Sequence, residues 1–200
     1  GHLHLSLTAD GGATNIFHDP RSEHAISDTM RHFIGGQEMH MAELTAMVAP
    51  TVNSYRRLIP GLWAPTDATW GIDNRTCAIR ALPGSPRSQR VEYRVPGADA
   101  NPYLVAAAAI ASGLHGIEQR TEPSAPQTGN AYDRDHPDHL RLPSDLADAG
   151  QRLAGSAMAR EWFGDVFVDH FAASRDWEAR QLPMDPAISS AEMARYFELI

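Results

Sequence analysis

Lysine is absent from the 200 residues, and all seventeen basic side chains are arginine. That absence removes a phosphate-loop lysine, a Schiff-base lysine and a carbamylated-lysine metal site from consideration within the chain. Cysteine is nearly absent too. Cys77 alone permits neither an internal disulfide nor a cysteine-based zinc cluster, and it points to a reducing compartment. No apolar run reaches the roughly 18–20 residues that span a bilayer. The longest, Leu104 to Ala111, is mostly alanine and reads as buried helix. No secretion signal is visible at the start. The net charge of −8 argues against a nucleic-acid partner, which would need a basic face. The expectation is an acidic cytoplasmic protein with no membrane or nucleic-acid partner, and the start at Gly1 reads as the interior of a longer chain.

What is present divides into two textures. His2 to Leu7 alternates strictly, placing His2, His4 and Ser6 on one strand face and the leucines on the other, before a turn at Gly11-Gly12. Ser27 is a candidate N-cap for a helix to about Val48, with Pro50 as its stop; Gly35-Gly36 inside it predicts close packing or a break. Between Thr51 and Pro102 the best strands are Asn74 to Leu82 and Arg90 to Val95. Asn101-Pro102 opens an alanine-rich helix to about Gln119. A polar, proline-rich loop follows from Thr121 to Pro143, then helices starting near Ser144, Gly164 and Ser189. The sum is an α+β domain with strands first and helices second.

Three groups of residues carry chemistry. His2-x-His4 can present two imidazoles to a metal, or be a pair of solvated surface histidines. Arg90-x-Glu92-x-Arg94 sets a carboxylate between two guanidiniums on one face; it is either a surface ion ladder or a site completed by a metal or an anion. Arg56, Arg57, Arg75, Arg80, Arg87, Arg90 and Arg94 make the stretch Thr51–Arg94 locally basic, although Arg56 is expected to be an ordinary surface residue. Histidines, one carboxylate and several guanidiniums form a kit for phosphoryl chemistry.

The segment Asn53-Ser54-Tyr55-Arg56-Arg57-Leu58-Ile59-Pro60-Gly61 resembles the NSYKRLVPG signature of glutamine synthetases. Asn74-Arg75 with Arg80, Arg90-Val91-Glu92-Tyr93-Arg94, Asn101-Pro102-Tyr103-Leu104 and the opening His-x-His strand resemble further motifs of that family, in the same order. The resemblance implies a glutamine synthetase-type catalytic domain, with antiparallel strands forming a curved sheet and helices outside. Residues 1–200 would be its C-terminal part, the N-terminal part being missing. It implies ATP-dependent joining of an amine to the γ-carboxylate of L-glutamate through a γ-glutamyl phosphate, with Mg²⁺ or Mn²⁺. By position, His2 and Glu92 would ligate the metal. His4, Ser6, Arg80, Arg87 and Arg90 would contact ATP. Arg57, Arg94 and Arg75 would hold glutamate, and Arg75 and Arg80 would stabilise the transferring phosphoryl group. Family members form rings with active sites between subunits, so a homo-oligomeric ring is expected for the complete protein, and this piece alone is expected to be inactive.

Two departures sharpen the reading. The family's metal-binding glutamates upstream of the histidine strand are not in this chain. Where ammonia-using members read PGYEAP, this chain reads Pro60-Gly61-Leu62-Trp63-Ala64-Pro65. An indole accepts no proton, but Trp63 could line a slot for a larger amine by apolar contact or cation–π attraction. The stretch Pro60–Arg75 is most similar to the γ-glutamylpolyamine or γ-glutamylputrescine synthetase branch, so an organic amine or polyamine is expected. Ammonia-dependent glutamine synthesis and a catalytically inactive synthetase-like scaffold are the alternatives; a His-x-His metallohydrolase is disfavoured by the missing lysine. Asn130-Ala131-Tyr132-Asp133 lies where some bacterial members carry an adenylylated tyrosine. No such regulation is expected here, and Tyr132 reads as an exposed loop residue.

Overall fold

The Ser27 hydroxyl accepts the Met30 amide at 3.1 Å, and from this cap helix α1 runs over Asp28–Val48. In the computed structural model, which describes residues 1–59, 64–182 and 187–197, α1 is the axis of the core. Helix α2, Pro102–Gln119, starts as the sequence predicts: the Asn101 side chain accepts the Tyr103 amide at 2.9 Å, with proline in the first turn. The two helices pack backbone to backbone. A Cβ on Gly36 would stand 2.6 Å from the Gly116 Cα and collide with the Ser112 carbonyl. Gly35-Gly36 therefore serves close packing, and α1 is unbroken.

The sheet has the order β1-β6-β5-β4, where β1 is Leu3–Leu5, β4 Trp70–Ile72, β5 Ile79–Leu82 and β6 Arg90–Tyr93. A separate two-stranded hairpin, β2 (Thr8–Ala9) with β3 (Thr14–Asn15), surrounds the predicted glycine turn, where Gly11 and Gly12 take positive φ. The expected antiparallel pattern holds for β1–β6 and β5–β6 but not throughout: β4 and β5 run parallel, so the sheet is mixed. Parallel neighbours ordinarily need a crossover of about a dozen residues or more. Here residues 73–78 make the return, beginning at Asp73 with φ +47°. Val91, Tyr93, Ile79 and Ala81 point into the core beside Phe17, Phe33, Ile34 and Tyr55, all fully buried. The opposite face of the same strands carries the polar residues.

Four further helices complete the α layer: α3 (Leu146–Gly155), α4 (Ala157–Phe163), α5 (Asp165–Gln181) and α6 (Ser190–Tyr196). Between the helix starts expected near Ser144 and Gly164 the structure has a further one: Ser156 ends α3 and caps α4 by accepting the Ala159 amide at 3.0 Å. Among the described residues no helix is long and apolar enough to cross a membrane.

Helix α6 is held from both sides by paired guanidinium–carboxylate contacts. Arg56 donates to both oxygens of Glu192 at 2.6 Å, and Arg195 grips both oxygens of Glu178 on α5, with the Tyr196 hydroxyl donating at 2.6 Å. Arg56 is thus not an ordinary surface residue. The Arg195 contact holds the Glu178 carboxyl low against an opposing effect of burial, and the Arg56 contact does the same for Glu192. A carboxyl depressed in the folded state stabilises fully above its unfolded value and loses that contribution as pH falls through the folded one. Helix α6 should accordingly loosen below about pH 4.5, the ordinary glutamate value. Arg195 stacks over Trp177 at 5.1 Å, so the fluorescence removed by Trp177→Phe reports the event. It should change at higher pH than the global circular-dichroism transition, and coincidence of the two would contradict this.

Candidate active site

Antiparallel register sets the geometry: Glu92 on β6 faces His4 on β1 from one side and Arg80 on β5 from the other. Glu92 is 2 % exposed. Its Oε1 receives Arg94 Nη1 at 2.9 Å and lies 2.8 Å from His2 Nδ1, with His4 Nε2 at 3.9 Å. Its Oε2 receives Arg80 Nη1 at 2.9 Å. Arg80 is steadied from behind by Asp73, which accepts its Nε at 2.9 Å and its Nη2 as well. Asp73 holds that aim from a left-handed conformation that Asp tolerates better than most residues.

Burial alone would raise the Glu92 carboxyl, but Arg80, Arg94 and His2 together outweigh it and hold it below the usual range. Burial and the Arg94 charge lower the His2 imidazole, against the pull of Glu92. A neutral imidazole and an ionised carboxylate are the forms that bind metal. Cis ligands of an octahedral divalent ion with ~2.1 Å bonds stand about 3 Å apart, so His2 and Glu92 fit as two corners of such a site. Among the described residues no group of three or more His, Cys, Asp or Glu converges on one point. The remaining corners would fall to substrate oxygens, water or groups outside those residues.

The other sequence candidates sort by distance from this knot. Arg90 Nε donates to His4 Nδ1 at 3.2 Å, joining two of the expected nucleotide contacts. Arg57, at the end of the turn Val52–Arg56, donates Nη2 to the Val95 carbonyl, one residue from Arg94. Its guanidinium is lowered by burial and by the like charge of Arg94, with Asp99 opposing. Arg94 Nε is buried without a hydrogen-bond partner among the described residues. Two neighbouring cations with donor capacity to spare favour an anion between them. Arg75 is exposed on the 73–78 return, Arg87 is exposed on the turn before β6, and Ser6 is exposed beyond β1. No side-chain contact draws these three to Glu92 among the described residues. Trp63 lies outside the described residues.

Sequence reasoning missed Asp73 as the brace of Arg80, and it misplaced Tyr132. The Asn74 amide donates to the carbonyls of Gln127 and Gly129, and Thr76 Oγ1 accepts the Ala131 amide at 2.9 Å. These struts draw the loop onto the sheet and turn Tyr132 inward, its hydroxyl buried and without a hydrogen-bond partner among the described residues. Burial raises that hydroxyl, with Arg94 opposing. Tyr132 is therefore not an exposed loop residue. Two hollows among the described residues, one of about 470 Å³ between Arg57, Asp99 and α6 and one of about 530 Å³ beside Tyr132, are not lined by Glu92. The convergent chemistry is on the open sheet face instead.

Comparison with known proteins places the chain in a family. The model of the glutamine synthetase catalytic domain matches residues 1–196. The gamma-glutamylethanolamide synthetase GlnA4 of Streptomyces coelicolor is 43% identical over 192 residues, covering 90% of this chain and 40% of that protein. A glutamate–isopropylamine ligase of a Pseudomonas species is 39% identical over 201 residues, covering 100% of this chain and 43% of its own. The type-1 glutamine synthetase 2 of Dictyostelium discoideum is 40% identical over 202 residues, covering 100% and 38%. The solved structure of apo GmaS superposes with a TM-score of 0.76 at 31% identity, over 98% of this chain and 44% of that one. The chain thus spans about two-fifths of the length of the curated relatives it matches. Relatives named for organic amines fit the branch that the Pro60–Arg75 stretch resembles. The chain belongs to the glutamine synthetase family.

Proposed function

We propose that the complete protein joins the γ-carboxylate of L-glutamate to an organic amine at the expense of ATP, and that residues 1–200 are the C-terminal part of its catalytic domain. The observation that carries the reading is the Glu92 carboxylate, buried and shared among His2, Arg80 and Arg94. In this reading a γ-carboxylate oxygen of glutamate attacks the γ-phosphorus of ATP and ADP leaves. The amine nitrogen then attacks the acyl carbon, phosphate departs, and the nitrogen sheds a proton. Arg57 and Arg94 hold the glutamate carboxylates as planar forks. Arg80, aimed by Asp73, and Arg75 offset charge on the transferring phosphoryl oxygens. His4 and Arg90, already bonded to each other, face the nucleotide together with Ser6 and Arg87. A Mg²⁺ or Mn²⁺ ion held by His2 and Glu92 would neutralise phosphate oxygens.

The amine reading draws on Trp63 in place of the glutamate of ammonia-using members, and on relatives named for ethanolamine and isopropylamine. Ammonia is the second reading, favoured by the Dictyostelium relative's name. We place the complete protein in the cytoplasm as a homo-oligomeric ring. The test is phosphate release by the complete protein with ATP, glutamate and a panel running from ammonium through ethanolamine to putrescine and spermidine. Release with an organic amine and little with ammonium is expected. Release with ammonium alone would overturn the amine assignment, and silence across the panel would favour an inactive scaffold.

A further inference from the structure

Arg56 and Arg57 are consecutive, yet their side chains part company. Arg57 turns toward Val95 and the sheet, while Arg56 reaches the last described helix. The turn that carries them, Val52–Arg56, is fastened at its start: Thr51 and Ser54 cap each other, and both hydroxyls donate to Asp99. Its end is fastened by Arg56, which donates Nε and Nη2 to the two oxygens of Glu192 at 2.6 Å each, with Nη2 also reaching the Ala187 carbonyl at 3.1 Å. Glu192 is 5 % exposed, and Ser189 caps its helix. A bidentate pair of this kind fixes the angle of the guanidinium as well as its place. Arg57 follows Arg56 directly at the end of this turn, its amide donating to the Ser54 carbonyl at 3.3 Å, so a shift of the turn's end moves the base of the Arg57 side chain. Arg57 and Glu192 both line the hollow of about 470 Å³ between the turn and α6.

We propose that Glu192 is a positioning residue for glutamate binding, acting through Arg56 to fix the end of the turn from which Arg57 extends. The proposal rests on the ligase reading above, in which Arg57 holds a carboxylate of glutamate. Loss of the anchor frees the stem of Arg57 without touching the phosphoryl-transfer groups on the sheet. The cost therefore falls on glutamate affinity and not on the chemical step.

The experiment uses the complete protein. Glu192→Gln keeps the size of the side chain and removes its charge. It is expected to raise the KM for glutamate about five- to tenfold, with kcat and the KM for ATP within about twofold of wild type. Glu192→Asp, charged but one methylene shorter, is expected to raise it about two- to threefold, and it decides the matter if Glu192→Gln does not fold. Glu178→Gln is the control: it cuts the other anchor of the same helix, so it should lower the melting temperature comparably and leave the glutamate KM unchanged. An unaltered glutamate KM in folded Glu192 variants would overturn the proposal, as would an equal rise in Glu178→Gln. A wild-type protein whose turnover ignores glutamate would remove the ligase reading itself, a result seen before any variant is made.

Discussion

Gly36→Val should leave the chain without a cooperative unfolding transition. Gly36 and Gly116 face each other where α1 crosses α2, and each leaves room only for the other's backbone. A first methyl on Gly36 would meet the Gly116 amide and Cα at 2.6 Å and strike the Ser112 carbonyl. These are main-chain atoms of a regular helix, so nothing nearby can rotate away. The helices themselves would have to separate, exposing Phe33, Ile34 and the alanine face of α2. Alanine in place of glycine gains about 1 kcal/mol of helix propensity, while overpacking a tight core costs about 1–3 kcal/mol. Gly36→Ala is therefore destabilising on balance. Valine adds two further methyls and belongs with the rare substitutions costing on the order of 4–5 kcal/mol or more, a large share of the 5–15 kcal/mol a typical domain has. Thermal and urea melts followed by circular dichroism test this. A Gly36→Ala melt at or above wild type would refute the account of the helix contact.

Glu92→Gln should sharply lower activity in the complete protein and destabilise the fold at the same time. The amide keeps the shape of the carboxylate but removes the charge that Arg80 and Arg94 share. Arg94 is 5 % exposed, so its cation would remain in a poorly solvated place without its partner. Breaking a buried pair from one side costs about 3–5 kcal/mol. Activity should fall on the order of 10²–10³-fold, as for removal of a preorganised charge from a transition-state site. The stability effect is checked in a double variant: adding Arg94→Met to Glu92→Gln removes the stranded cation, so the melting temperature should recover. Activity is compared between wild type and Glu92→Gln alone, because Arg94 itself holds glutamate in the proposed reading. Activity retained by Glu92→Gln would contradict a role for the carboxylate in the reaction.

The parts of this molecule written in local pattern were the legible parts. The alternation His2–Leu7 and Arg90–Val95 placed both strands and their polar faces, and Ser27 and Asn101-Pro102 marked two helix starts to the residue. The motif order brought His2, Glu92, Arg80 and Arg94 into one group before their register was known, and the register then set Glu92 between its partners. What escaped depended on distant partners or backbone detail. Strand β4 is three residues long with a glycine at its centre, too short to show a period, and its parallel pairing depends on the return at Asp73. Arg56 looked like one more cation in a basic stretch because its carboxylate lies 136 positions away. Tyr132 sits among polar neighbours, and hydrogen bonds from the distant Asn74 and Thr76 turn it inward. Ser156 caps a further helix between the starts expected near Ser144 and Gly164.

The pairing of Leu3 with Tyr93 has a consequence for how the chain is made. Contacts between residues far apart in sequence are slow to form, because the intervening loop must close before they stabilise anything. At a ribosomal rate of about 5–20 residues per second, β1 leaves the exit tunnel several seconds before β6 exists to receive it. The glycine face of α1 waits similarly for α2. Throughout that interval the nascent chain displays an alternating leucine strand and an uncovered helix groove, the surfaces that chaperones capture and that neighbouring nascent chains can join.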